Sequence, residues 1–344
     1  MEKNPCSIFA RAERKRKNSK FLSAIPLYSR AKGLSDKDPE LKLSCLFSLG
    51  DTYRMVGEFK KAEKCYKEAH SLSLAIGKKN EPLDALTGLG LALRAEGKFK
   101  EALKYFAKTL KAYKKNRDME GAAFCLWARA GALRIKGDIK GAITGFKEAK
   151  KLFHKTGDES GVGYCLTGLG GASRVASGYG DSLDYYKTAN SVFKRLNDTF
   201  GIAYSYCGIA NALRMKGRFK EAIRYFKKAA ANYKKIGDRV SFAYTLWAEG
   251  TAYQMIGLDR LALGDFKEAQ RLFRATGDRR GLIYCMLSIA ETEFKKNRKR
   301  SALKTIKLAG KKAGILGFKI EKGYAQAILE AMEKNPGDLP LNLP

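Results

Sequence analysis

Two kinds of side chain in this sequence could do chemistry, and both recur at a fixed step. Arg54, Arg94, Arg134, Arg174 and Arg214 follow one another at intervals of 40, with Gln254 in the next place. Aromatic residues keep the same step, as Phe124, Tyr164, Tyr204, Tyr244 and Tyr284 in one column and Phe47, Trp127 and Trp247 in another. A third column contributes Asp51, Asn211, Thr251 and Glu291. Guanidinium forks pair carboxylate or phosphate oxygens at two points, and rings supply rigid, flat contact area. Together they suit an extended ligand that carries acids and apolar groups, with Asn211 placed to bond its backbone. Rings and arginines so regularly spaced equally suit packing between successive units, so contact with a ligand and contact within the structure stand as two readings. Packing between units has no need of tryptophan at 127 and 247, and these two favour the ligand.

Residues for catalysis or metal binding are not arranged for either. His70 and His154 fall in different units and lack metal-ligand spacing. Cys45, Cys125, Cys165 and Cys285 share a column, but equivalent places in stacked units lie about 10 Å apart, too far for a shared zinc or a disulfide. Packing as small apolar side chains is the expectation. The glycine-rich stretches 167–171 and 178–180 fall in a helix and a turn, with no strand before them, which argues against a phosphate-cradling loop. The chain is expected to be no enzyme and to hold no metal or cofactor.

The elements that position these columns follow from the repeat. A glycine recurs as Gly57, Gly97, Gly137, Gly217 and Gly257, the fifth unit reading as a slip with Ser177 before Gly178. Ala62, Ala102, Ala142, Ser182, Ala222, Ala262 and Ala302 come five residues after this place, and Tyr66, Phe106, Phe146, Tyr186, Phe226, Phe266 and Ile306 four further on. Upstream runs a small column: Gly50, Gly90, Ala130, Gly170, Ala210, Gly250 and Ala290. Spacings such as Phe99, Ala102, Phe106, Leu110 and Tyr113 are helical, and Gly-Asp at 157–158, 237–238 and 277–278 supplies a helix stop followed by a helix start. Each unit is a helix A, a turn, a helix B and a second turn. The units run at about 6–40, 41–80, 81–120, 121–160, 161–200, 201–240, 241–280 and 281–317, followed by a capping helix over 319–334 and a tail over 335–344 whose prolines cannot continue it.

These columns resemble the tetratricopeptide repeat, on Leu46-Leu49-Gly50-Tyr53 in helix A and Ala62-Tyr66-Ala69 in helix B. The 40-residue step, with Gly-Asp-Arg-Arg-Gly at 277–281, is similar to the longer variant of kinesin light chains and G-protein regulators. Arg129 and Glu249 depart from the pattern at the helix-A leucine, and the proline that usually ends helix B is missing. The resemblance implies an all-α fold, a right-handed α-solenoid of about eight helix-turn-helix pairs with a C-terminal cap. It also implies a scaffold whose A helices line a concave, peptide-binding groove.

Composition bounds the rest. With 67 Lys+Arg against 35 Asp+Glu the formal charge is +32, yet 45% apolar residues are enough for a large core. No stretch approaches the ~20 apolar residues of a membrane span, and the start has no signal-like apolar region, so a cytoplasmic protein with reduced thiols is expected. Much of the charge falls on helix B, as Lys100, Lys104 and Lys108, then Lys220 and Arg224, and on Lys296, Arg298 and Arg300 near one end. A single-sign coat of this kind attracts polyanions. The preferred partner is an acidic protein or peptide held by the arginine ladder. The alternatives are RNA or single-stranded nucleic acid stacked on the groove aromatics, and docking of the outer lysines on an anionic surface such as a ribosome or membrane.

Overall fold

A computed structural model describes residues 4–18 and 20–343 of the chain; residues 1–3 of the start read for export, Ser19 and the tail's Pro344 lie outside the described residues. Among those described there are seventeen α-helices and no strand. They fall into A and B pairs: α1 (Pro5–Lys17) with α2 (Phe21–Gly33), α3 (Pro39–Met55) with α4 (Phe59–Ala75), α5 (Glu81–Ala95) with α6 (Phe99–Lys115), and α7 (Met119–Lys136) with α8 (Ile139–Lys155). The second half continues with α9 (Glu159–Val175) and α10 (Tyr179–Arg195), α11 (Thr199–Met215) and α12 (Phe219–Ile236), α13 (Arg239–Met255) and α14 (Asp259–Thr276), and α15 (Arg279–Lys295) and α16 (Lys299–Leu316). A last helix, α17 (Lys319–Lys334), follows without a partner. The chain is an α-solenoid.

Local chemistry sets these boundaries. Asp118, Asp158, Asp198, Asp238 and Asp278 each cap an A helix by accepting backbone N–H groups of its first turn, at 2.8 to 3.1 Å. The fifth unit does not slip. Ser177 itself takes the left-handed conformation (φ 64°) that Gly57, Gly97, Gly137, Gly217 and Gly257, and Asn297 in the last pair, hold in the same place, and Gly178 becomes the N-cap of α10.

Helix B is amphipathic, and the pattern decides which face is buried. In α6, Phe99, Ala102, Phe106 and Tyr113 are buried, whereas Lys100, Lys104 and Lys108 point to solvent. The A helices are apolar almost all round, because each packs against its own B helix, the preceding B helix and neighbouring A helices; α9, for instance, touches α7, α8, α10 and α11. The central ring of helix B makes this three-way contact close. Tyr66 lies between α3 and α5, so a methyl group on Gly50 would come within 2.8 Å of its ring and one on Gly88 would collide with it. Tyr186 sits in the same way between Gly170 and Gly208. The column through Gly88, Gly168 and Gly208 has the same origin, and its meaning emerges only once the neighbouring repeat is in place.

The stack curves until it meets itself. The guanidinium of Arg239 donates to the carbonyl of Val56, 183 residues away in sequence, and to Glu58 at 3.0 Å. Phe21 and Val56 share a core cluster with Ala203, Tyr233 and Ile236, and the ring of Phe99 lies 6.0 Å from that of Phe318. The concave face is therefore the wall of a channel, with the A helices inside and the B helices outside.

A left-handed serine costs about 1 kcal/mol relative to glycine. Ser177→Gly is expected to stabilise the fold by about that amount, read as a higher midpoint in urea with an unchanged slope.

Candidate functional site

The wall is graded along the A helices α7, α9 and α11. An aspartate caps the N-terminus of each, and its last turn carries the ladder arginine. At the acidic edge Glu81, Asp84, Asp118, Glu120 and Asp158 line a cleft of about 690 Å³ together with Phe124. Burial pushes the Asp84 carboxyl up, with the neighbouring Asp118 and Glu81 acting the same way, while a hydrogen bond from Tyr113 opposes them.

At the basic edge the arginines rest on the next repeat. Arg94 donates to the carbonyl of Ala128 at 3.2 Å and lies over the Trp127 ring, 5.7 Å from its centre. Arg134 lies over Gly171, where a methyl group would stand 2.7 Å from its Nη1. Arg54 reaches the carboxylate of Asp51 at 3.6 Å, which is itself taken by the hydroxyl of Tyr66 at 2.7 Å. Charge along the ladder is poorly compensated. Burial, with Arg54 next in effect, pulls Arg94 down to about 10, and burial with Arg174 pulls Arg214 down to about 9. The Nε atoms of Arg54, Arg134, Arg174 and Arg214 are buried with no acceptor. Gln254, the sixth rung, is buried and donates to Thr292 at 2.9 Å.

Most of the rings share this wall but are engaged by neighbours. Tyr164 donates its hydroxyl to Asp198 at 2.8 Å, Tyr244 to Asp278 at 3.2 Å and Tyr284 to Glu321 at 2.7 Å, each tying one repeat to the next element. Tyr204 stacks on Phe200 with centres 6.2 Å apart. Phe124 is exposed and stacks on Trp127 at 5.6 Å. Trp247 donates to Ser288 at 2.9 Å and lies 4.4 Å from the ring of Tyr284. Asn211 is turned inward, donating to the carbonyl of Cys207 at 3.0 Å while its Oδ1 accepts from Arg214. The four column cysteines are buried and reduced.

One rung is filled. Arg214 is completely buried, and what covers it is the tail: its guanidinium donates to Asn342 and, at 3.0 Å, to the carbonyl of Leu343. Asn342 donates back to the carbonyl of Arg214 at 2.9 Å, and the Leu341 N–H donates to Glu291 at 2.9 Å. Of the five arginines in the ladder, Arg214 is thus closed off by the chain itself. The alternation Leu339, Leu341, Leu343, with the period of an extended strand, is the sequence signal for this contact. The outer residues take no part: Lys100, Lys104, Lys108, Lys220, Arg224, Lys296, Arg298 and Arg300 are all exposed, on α6, on α12 and around the α15–α16 turn, with Arg298 paired to Glu293 at 2.7 Å.

Glu291 provides a pH test. Burial raises its carboxyl to about 8 against the smaller opposing effects of the Leu341 N–H and Lys295. A group whose affinity for protons rises on folding stabilises the fold at low pH and loses that contribution as pH climbs through its folded value. The wild type is expected to lose stability between pH 5 and 9 relative to Glu291→Gln, measured as the difference in Tm between the two across that range.

Family models described as "Tetratricopeptide repeat" match residues 42–115 and 202–236. No curated protein sequence matches the chain. Similar solved structures include the Rap conjugation gene regulator of the plasmid pLS20 in complex with the Phr* peptide, with TM-score 0.66 and 15% identity over 96% of this chain and 98% of that one. They also include a Rap protein complexed with Competence and Sporulation Factor (0.63, 14%, 97% and 99%) and aspartyl phosphate phosphatase F from Bacillus subtilis (0.57, 17%, 85% and 76%). These likenesses are of fold, and among the described residues no helix is long and apolar enough to cross a membrane. By its repeat columns, its paired helices and both sequence matches, the chain is a tetratricopeptide repeat protein.

Proposed function

We propose that the chain is a non-catalytic scaffold that binds an acidic segment of a partner protein along its inner wall. The observation that carries this reading is the state of Arg134 and Arg174, two cations on the concave face whose buried Nε atoms have no acceptor. A buried donor without a partner is costly, and a ligand carboxylate placed there removes that cost and eases the repulsion along the ladder. The residues named for the ligand are Arg134 and Arg174, flanked by Arg54, which Asp51 already pairs, and Arg94, which rests on Ala128 and Trp127, with Phe124 and Trp127 as the rings beside them. Tyr164, Tyr204, Tyr244 and Tyr284 shape the wall while their neighbours hold them. A peptide suits the channel better than a nucleic-acid strand, because the opposite edge of the same wall carries Asp84, Asp118 and Asp158 and repels a second row of phosphates. Solved relatives holding a peptide or factor are consistent with this use of the fold, although what they bind is their own.

The test is the affinity of a fluorescein-labelled peptide of alternating Glu and Leu, followed by anisotropy. Arg134→Glu and Arg174→Glu should each weaken it by about 30-fold or more, as expected for a reversed charge in a buried pair. Charge reversal of Lys100, Lys104 and Lys108 together should leave it nearly unchanged. The opposite pattern, with loss only in the lysine variant, would place binding on the outer surface and refute the groove.

A further inference from the structure

The tail beyond α17 is more than an end of chain. We propose that residues 339–343 are a resident occupant of the groove, docked across α11, α13, α15 and α17, and that a ligand reaching Arg214 must first displace them. This rests on the groove reading above and adds its regulation.

Local chemistry brings the tail back. Helix α17 stops at Lys334, Pro336–Asp338 form a single 3₁₀ turn, and Leu339 is extended (φ −81°, ψ 142°), so the chain leaves the cap without continuing as a helix. Leu339 is buried in the cluster of Phe318 and Ile328, and Leu341 and Leu343 pack against the same cluster, lining a pocket with Trp247 and Tyr284. Between the leucines, Asn342 faces the wall and makes its two-way exchange with Arg214.

The polar partners of the tail come from the columns expected to read a ligand. Arg214 is a rung of the ladder, and Glu291 belongs to the column of Asp51 and Asn211. The tail therefore meets the wall as a bound peptide would, through its main chain and one amide.

It is also an electrostatically incomplete occupant. Asn342 and the Leu343 carbonyl are neutral acceptors, so the charge of Arg214 is desolvated without being compensated, its Nε has no acceptor, and Arg174 stands next along the ladder. An acidic ligand brings the charge that the tail lacks, because a carboxylate bonds a guanidinium more strongly than a neutral oxygen does. Tethering explains how a modest occupant holds its place: attachment through α17 gives it an effective concentration in the millimolar range. The device is a plug that a neutral peptide in solution dislodges poorly and an acidic one dislodges well.

The experiment compares three proteins: the full chain, a chain ending at Lys334, and the full chain carrying Leu341→Ser with Asn342→Ala, which frees the tail but keeps α17 complete. Affinities are measured with Trp127 in place; for the emission readout alone each also carries Trp127→Phe, so that the signal reports Trp247. With the labelled Glu-Leu peptide as probe, both tail variants should bind about tenfold more tightly than the full chain, which corresponds to a tail docked in about nine-tenths of molecules. Trp247 emission should shift to the red in both, and a synthetic peptide of residues 335–344 should reverse both effects in the truncated chain. Equal affinity in all three proteins, or an unshifted Trp247, overturns the plug. If the probe binds none of them, the acidic-partner reading itself falls and the plug falls with it.

Discussion

A B-helix aromatic ring inserted between two A helices, as Tyr66 and Tyr186 are, is the contact on which the rest of the architecture depends. Tyr66 and Tyr186 each meet small residues on both sides, Gly50 with Gly88 and Gly170 with Gly208. A ring buried in this way contributes about 1.5–3 kcal/mol through its apolar surface alone, and only where no Cβ obstructs it can the backbones close around it. The insertion fixes the distance between successive A helices, and through that distance the curvature of the stack. Because the curvature brings the α3–α4 turn against the α12–α13 turn, where Arg239 reaches Val56 and Glu58, the concave face becomes a lined channel.

That geometry explains why the inner charges behave unlike the outer ones. The lysines of α6 and α12 stand in water, where high dielectric and salt make each of them energetically minor. Inside, Arg94 and Arg134 sit against alanine, tryptophan and glycine, away from the acidic edge of the wall. Their mutual repulsion is screened weakly there, and for Arg94 and Arg214 the guanidinium is less firmly charged than usual. A protein of charge +32 thus buries a small part of that charge among the packed repeats and leaves the larger part exposed on its outer helices.

Legibility in the sequence follows the range of the interaction. Helix boundaries are local: Asp158 accepts from a backbone N–H three residues on, and the alternation of Phe106 with Lys104 and Lys108 is complete within one helix, so both are visible in one dimension. The apparent slip at the fifth unit misleads because serine so seldom adopts a left-handed backbone that the adjacent Gly178 seems the better candidate. The roles of Tyr164 and Tyr244 were open for another reason. A ring on the concave face looks the same in the sequence whether its hydroxyl meets a ligand or the capping aspartate of the following repeat, and in the structure the hydroxyls bond Asp198 and Asp278.

The sequence by itself determined the repeat, the all-helical fold, the inner column of arginines and the outer coat of lysines, because each follows from periodicities that a single helix or a single unit already expresses. Only the tertiary structure decided that the stack closes on itself, that the tyrosines brace neighbouring repeats, and that Arg214 is filled by Asn342 and Leu343 while Arg134 and Arg174 are not. The physical reason is sequence separation: Asn342 and Arg214 lie 128 residues apart, and nothing in either residue's surroundings along the chain reports the other until the curvature set by the inserted rings has brought them together.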